Sequence, residues 1–428
     1  MLQRVVDTAR CLGPDAIHVI IGHGGEQIKT ALPTLPVNWV LQDEQLGTGH
    51  AVMQALPHIP DESLVLVLSA DVPLITEDTL QTLIKQCKVK SMVAPLGLLV
   101  ASVGDASGLG RILRNAQDQI YAIVEDKDAS EEQRQLNEVY SGICCTKAAN
   151  FKRWLPKLQP HNAQGEYYLT EIIAMAVAEE LPIASLSVSD CLEIQGVNNR
   201  LQLQQLERAW QLRVASRLML DGVTLADAAR IDVRGELHCG MDVFIDVNTI
   251  FSGTVVVGDG CTIGANCSLN EVTLGANCEI FPNSVLDHCL IGDDCHVGPF
   301  ARLRPGTELA SGCKIGNFVE TKKAVFGTNT KASHLSYLGD VTLGKNVNIG
   351  AGTITCNYDG VNKHQTVILD GVFIGSDTQL IAPVTIGENA TIGAGSTIYK
   401  NVPAGELTLT EAKQKTVHGW TRPKKKNK

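Results

Sequence analysis

His334, in "SHLSYLGD", stands in a run of short repeats where the neighbouring repeats carry a small or aliphatic residue. An imidazole takes up a proton near neutrality, which makes it a candidate general base, although a histidine in such a repeat also reads as an ordinary structural residue. Glu320, in "NFVETKK", supplies a carboxylate of the kind that orients a catalytic imidazole. Arg304, in "ARLRPG", and Lys322 are cations that keep their charge at neutral pH, and the planar fork of an arginine matches a phosphate bidentately. Far upstream, Asp71 in "SADVPL" ends an apolar strand; an oxygen ligand there suits Mg²⁺, and an Asp after a strand equally suits a turn or a helix cap. "GHGGEQIK" (22–29) is Gly-rich, which alone is a weak phosphate-loop signal.

The elements that must carry these residues fall into two rhythms. Over 1–198, short apolar runs alternate with helical patterns. "MLQRVVDTARCLG" puts Leu2, Val5, Val6, Ala9 and Leu12 on one helical face, and "AIHVII" follows as a buried strand. "SLVLVLSADVPLI" is a strand running into a loop, "TEDTLQTLIKQC" a capped helix and "SMVAPLGLLVASV" another strand. This alternation predicts a mainly parallel sheet covered by helices, with sites at the carboxyl ends of strands. "NNRLQLQQLERAWQLRVASRLMLDGV" then reads as one long bridging helix.

Beyond about residue 230 an aliphatic or aromatic residue recurs at every sixth position: Ile245, Phe251, Val257, Ile263 and Leu269, then Ile291 to Ile315, then Ile374 to Ile398. A six-residue period sustained over this length is the signature of a parallel β-helix. Cys261, Cys267, Cys278, Cys289, Cys295 and Cys313 each stand two residues before such an aliphatic, in the small inward slot that Ala390 and Ser396 fill elsewhere. They are expected to be core thiols. None of the 13 cysteines forms a C-x-x-C pair, and a soluble cytoplasmic chain with reduced thiols follows. A net charge of −10 excludes a broad nucleic-acid surface, and no apolar run is long enough for a membrane span.

The motifs "LQDEQLGTGHA" (41–51), "ADVPL" (70–74), "NAQGEYYLT" (162–170), "GVNNR" (196–200), "ARLRPG" (301–306), "GNFVETKKA" (316–324), "HLSYLGD" (334–340) and "NIGAGTITCNYDG" (348–360) follow in order along nearly the whole chain. Together they resemble a family of bifunctional bacterial enzymes that acetylate glucosamine 1-phosphate and then uridylylate the product to UDP-N-acetylglucosamine, for peptidoglycan and lipopolysaccharide. The resemblance implies an α/β fold class. A Rossmann-like uridylyltransferase domain would span 1–198 and a linker helix 199–222. A left-handed parallel β-helix acetyltransferase domain would occupy 223–428, ending in a solvated basic tail, "RPKKKNK". It also implies a cytoplasmic homotrimer.

Residue by residue, the resemblance makes His334 the base and Glu320 its orienting carboxylate. Arg304, Lys322 and Lys363 would hold the sugar phosphate, with Tyr337, Asn348 and Asn357 on the sugar, while Lys323 stays a solvated charge. Acetyl-CoA, the co-substrate, would lie along Ala351, Asn357, Tyr358, Ser376 and Ala394. Glu411 occupies a position where the family places an arginine toward the coenzyme phosphates, leaving Lys413 as the available cation. For UTP and UDP-N-acetylglucosamine the matching residues are Gln42, Gly47, Thr48, Ser69, Ala70, Gly110, Glu125, Tyr140 and Thr170, with Asp71 and Asn198 as Mg²⁺ ligands. Ala70 replaces a usual Gly and Tyr140 a usual Asn, changes expected to narrow the pocket. Family members also carry, ahead of the helix at 2–12, a strand and a Gly-rich loop with a catalytic Arg and a Lys; residues 1–35 hold no counterpart, so uridylyl transfer is expected to be impaired. The alternatives are a non-catalytic trimeric UDP-sugar scaffold, and a β-helical zinc carbonic anhydrase with His288, His296 and His334 as ligands.

Overall fold

The computed structural model describes residues 1–88, 95–411 and 413–423. The start of the strand expected in "SMVAPLGLLVASV" and most of the basic tail lie outside them. The chain divides into two compact units, Met1–Ala209 and Trp210–Lys428, and the division falls inside the long helix Arg200–Leu220.

In the first unit, helix Leu2–Cys11 buries Val5 and Val6, and Val6 packs with Val19 and Ile21 of strand His18–Ile21. That strand pairs in parallel with Asn38–Leu41. A separate six-stranded sheet is built around the long strand Glu138–Lys147. Here the mainly parallel expectation is corrected. Glu138–Lys147 runs antiparallel to Leu64–Val67, Leu96–Ser102 and Gly110–Arg114, and only Leu96–Ser102 with Ile183–Ser187 is parallel. The cause is a tight hairpin between Gly110–Arg114 and Ile120–Val124, which alternation of apolar runs does not reveal. Asn115 Oδ1 accepts from Gln117 and Gln119 N–H at 3.0 and 2.9 Å, and Asp118 takes a φ of 60°, so the chain reverses in place. Helix Glu77–Cys87 starts as predicted: Thr76 caps it, and Leu80 and Leu83 are fully buried.

The second unit is the expected coil. Its strands form one 22-stranded sheet of parallel pairings, and most partners lie 17 or 18 residues apart, three hexads per turn. Every hexad aliphatic named above is buried. The inward thiols also have a hydrogen-bonding reason to be there. Sγ of Cys261, Cys278, Cys295 and Cys313 each donate to the carbonyl of a turn one coil on, at Gly275, Gly292, Ala310 and Gly327 (3.0–3.2 Å). Thr330 makes the same contact to Gly344 at 2.7 Å. The slot thus takes a small side chain that can also donate weakly.

One coil departs from the step. Asn348 pairs with Phe373, 25 residues on, seven more than the 18 that separate Phe373 from Thr391. The additional residues leave the coil between Ile354–Cys356 and Thr366–Ile368 as an exposed loop. One corner departs as well. At Asn248, Asn266 and Asn283 the backbone is left-handed, as suits asparagine, yet the same conformation is taken by Phe300, Phe318 and Leu335 (φ 55°, 58° and 33°), all more than half exposed.

Candidate functional site

His334 lies on that corner. The parallel register sets it beside Asn317, and its Nδ1 is 3.2 Å from Asn317 Oδ1. An amide oxygen only accepts, so Nδ1 carries the proton and Nε2 keeps its lone pair. Above it the ladder is regular: Gly352 N donates to Leu335 O (2.7 Å), Asp377 N to Ala351 O (2.7 Å) and Gly395 N to Ser376 O (2.8 Å). These bonds stack Ala351, Ser376 and Ala394 in one column above His334. Ser376 and Ala394 are exposed and Ala351 is half-buried, so the column leaves a shallow track beside the imidazole. Glu411 is exposed just after Thr410, whose N donates to Ser396 Oγ at 3.2 Å.

Glu320 does not orient His334. The register pairs it with Tyr337, three residues further on, and its Oε1 takes Arg304 Nη1 at 2.8 Å. The residue beside His334 was legible from the 17-residue step, which places Asn317 there, but carboxylate–imidazole chemistry pointed elsewhere.

Around Arg304 two further residues expected to hold the sugar phosphate, Lys322 and Lys363, come together. The Lys363 ammonium beside it, with Arg304 close by, holds the Lys322 amine below the usual lysine range, against the opposing pull of Asp340. Such mutually repelling cations form a ready anion seat. Tyr337 and Asn357 converge over Gly339: a Cβ there would lie 2.5 Å from Tyr337 Oη and 2.9 Å from Asn357 Nδ2. Asn357 Nδ2 in turn donates to Asp340 Oδ2. A cavity of about 280 Å³ is lined by Lys323, Asp340, Lys363, His364 and Gln365, so Lys323 faces the cavity that Lys363 lines. Asn348 pairs with Lys331 and Phe373, on the coil face before the turn at Ala351. Tyr358 is exposed on the loop beside Lys363, its backbone bridged to that of Lys363.

In the first unit, segment 162–170 links two parts of a second site. Tyr167 N donates to Leu46 O and Gly49 N to Tyr167 O, both at 2.8 Å, while Leu169 N donates to Thr48 Oγ1 at 3.0 Å. Gly47 has a φ of 110°, and a Cβ on it would meet Tyr167 O at 2.8 Å, so only glycine fits this dock. Gln42, buried, points its Nε2 at Gly47 O (3.3 Å) and His50 Nδ1 (3.0 Å). At the other end of the segment, Thr170 Oγ1 donates to Glu125 Oε1 at 3.0 Å; burial pushes this carboxyl up, and the threonine pulls it part of the way back. Gly110 lies against Ile123 and Glu125. Tyr140, opposite Gly110, is buried in the apolar core, where burial and the adjacent Cys144 push its phenol up. Ala70 is exposed, and Ser69 Oγ abuts Gly142.

Asp71 meets the turn before Asn198. Val197 N donates to Asp71 O at 3.0 Å, and a Cβ on Gly196 would lie 3.1 Å from Asp71 Oδ2, so glycine keeps space beside the carboxylate. A carboxylate and an amide oxygen fit Mg²⁺ as hard donors. Glu193, missed in the sequence, fixes this turn: its Oε2 accepts from Thr76 N and Oγ1 at 3.1 and 2.7 Å. The zinc alternative is corrected. His288 bonds Asp287 (2.7 Å), His296 packs edge-on to Phe281 (6.3 Å between centroids) and His334 faces Asn317. Among the described residues no three His, Cys, Asp or Glu gather as metal ligands.

An α/β unit with a glycine-lined dock, followed by hexapeptide coils bearing one imidazole under a column of small residues and a cation cluster, defines a two-part transferase. Residues 1–98 match the MobA-like NTP transferase domain, 233–335 the GMPPB C-terminal domain and 365–400 the bacterial transferase hexapeptide repeats. The chain is 67% identical over 430 residues to the "Bifunctional protein GlmU" of Legionella pneumophila (strain Corby), covering 100% of this chain and 93% of that protein. It is 55% identical to that of Marinobacter nauticus (99% and 93% covered) and 50% to that of Alkalilimnicola ehrlichii (99% and 90%). The chain belongs to the GlmU family. It is a bifunctional transferase, an acetyltransferase and uridyltransferase producing UDP-N-acetylglucosamine from glucosamine 1-phosphate, acetyl-CoA and UTP, with a metal-dependent nucleotidyltransferase part. No helix among the described residues is long and apolar enough to cross a membrane.

Proposed function

We propose that acetyl transfer runs on the β-helix with His334 Nε2 as the base. Arg304, Lys322 and Lys363 bind the phosphate of glucosamine 1-phosphate, and Tyr337, Asn348 and Asn357 hold its sugar hydroxyls. Pantetheine lies along the column of Ala351, Ser376 and Ala394, which brings the thioester carbonyl over the imidazole, and Tyr358 and Glu411 flank the coenzyme. The sugar amine attacks that carbonyl, Nε2 takes the proton the amine loses, and Ser376 supports the oxyanion until CoA leaves. The observation that carries this reading is the single stacked column of His334, Ala351, Ser376 and Ala394, with Asn317 fixing the tautomer beneath it. In His334→Ala the release of CoA from acetyl-CoA with glucosamine 1-phosphate should fall by about 10²–10⁴-fold, with the circular dichroism spectrum kept. A rate close to that of the unsubstituted chain would remove His334 as the base.

In the first unit, Gln42, Gly47 and Thr48 receive the uracil, and Ser69, Ala70, Gly110, Glu125, Tyr140 and Thr170 form the wall of the sugar pocket. Asp71 and Asn198 would hold Mg²⁺, which, when bound, offsets charge on the phosphates. The protein works in the cytoplasm, consistent with all 13 of its cysteines being free. We further propose a homotrimer. The outward phenylalanines at 300 and 318, stacked 5.5 Å apart in a costly backbone conformation, suit burial against another copy.

A further inference from the structure

Lys363 is carried on a loop that a single carboxylate closes. Asp359 Oδ1 accepts from Val361 N (2.8 Å) and Asn362 N (2.6 Å), while its Oδ2 takes His364 Nε2 at 2.7 Å. The stem is tied as well: His364 N donates to Asn357 O at 2.8 Å, and Tyr358 and Lys363 form an antiparallel bridge. The residues on both sides of Lys363 are therefore fastened to one side chain, and these bonds hold the Asp359 carboxyl well below the usual carboxylate range. Neither Asp359 nor His364 belongs to the sugar-phosphate set.

The loop works against a cost. It carries the Lys363 ammonium beside Lys322, with Arg304 near, and like charges so placed repel. A free loop of this exposure would swing its lysine into solvent and be drawn back only by an anion. We infer that Asp359 and His364 form a latch that preorganises Lys363 over the phosphate seat; they are positioning residues for the sugar phosphate. The inference rests on the reading of Lys363 as a phosphate contact. Without the latch the ordering of the loop is charged to substrate binding, so the loss appears in KM for glucosamine 1-phosphate.

The test is steady-state acetylation by the full chain, with inorganic phosphate as a competing probe. Asp359→Ala should raise KM for glucosamine 1-phosphate and Ki for inorganic phosphate by the same factor, about tenfold, with kcat within about twofold. Asp359→Asn, which keeps an acceptor for the turn but loses the charged partner of His364, should fall between. His364→Leu should match Asp359→Asn, and His364→Gln, whose amide donates to Oδ2, should restore the original KM. In a Lys363→Met background Asp359→Ala should have no further effect, because the latch acts only through that ammonium. Asp359→Ala and His364→Leu with unchanged KM and Ki, beside a Lys363→Met variant that raises both, would overturn the latch alone. An additive effect in the Lys363→Met background would also overturn it, since a general loss of structure adds. If Lys363→Met leaves KM and Ki unchanged, the phosphate reading of Lys363 fails and the latch with it.

Discussion

At the scale of single residues, the acetyl-transfer site is set by steric room and by charge held close to charge. Gly339 provides the room. With a Cβ in place, Tyr337 Oη and Asn357 Nδ2 cannot keep their positions. Gly339→Ala should therefore raise KM for glucosamine 1-phosphate several-fold, while overpacking costs at most about 1–3 kcal/mol of stability in a urea titration. Charge crowding sets a pH dependence. In the proposed role Lys322 binds phosphate as a cation; with Lys363 beside it, it loses its proton at a lower pH than an ordinary lysine. Binding is thus full below this lowered pKa and falls as pH rises through it. In Lys363→Met the alkaline rise in KM should shift to higher pH, even though the variant binds more weakly at neutral pH. A limb that stays in place would show that Lys363 is not the cause. Most of these residues were legible as motifs. Which of them touch was not, because Glu320 and Asn317 sit three residues apart on one strand, and only the coil register decides which of them faces His334.

At the scale of elements, the hexads announced the coil because one buried aliphatic per strand is all that each turn requires. The first unit announced its helices well and its strand directions poorly. Apolar runs look alike whether they pair parallel or antiparallel, and the tight turn at Asn115–Asp118 that reverses the chain is a local feature of few residues. The loop between Cys356 and Thr366 is an insertion in an otherwise regular element. Removing residues 358–364 would return the 25-residue step to 18. The removed residues are largely exposed, with Val361 at 83%, so the thermal midpoint should stay within about 4 °C, and saturation by glucosamine 1-phosphate should be lost. A collapse of the midpoint would mean that the loop braces the coil.

At the scale of the whole molecule, the two units meet different demands. The first gathers its site from segments distant in sequence: Gln42, Glu125 and Thr170 are joined through the packing of segment 162–170. The second repeats one module, so its site is a set of substitutions on a lattice, and its outward phenylalanines call for a partner. Sedimentation equilibrium should give three times the chain mass, and Phe300→Glu with Phe318→Glu should lower it; a monomer at micromolar concentration would end the trimer proposal. Burial pushes Cys289 up to about 12; at Cys278 and Cys295 the preceding inward thiol pulls down while the next inward thiol and burial push up, to about 11, so little thiolate is present at these three positions at neutral pH while the coil is closed. The coils that hold these thiols thereby carry their own clocks: the rate at which an alkylating reagent consumes Cys278, Cys289 or Cys295 counts how often that turn of the solenoid opens.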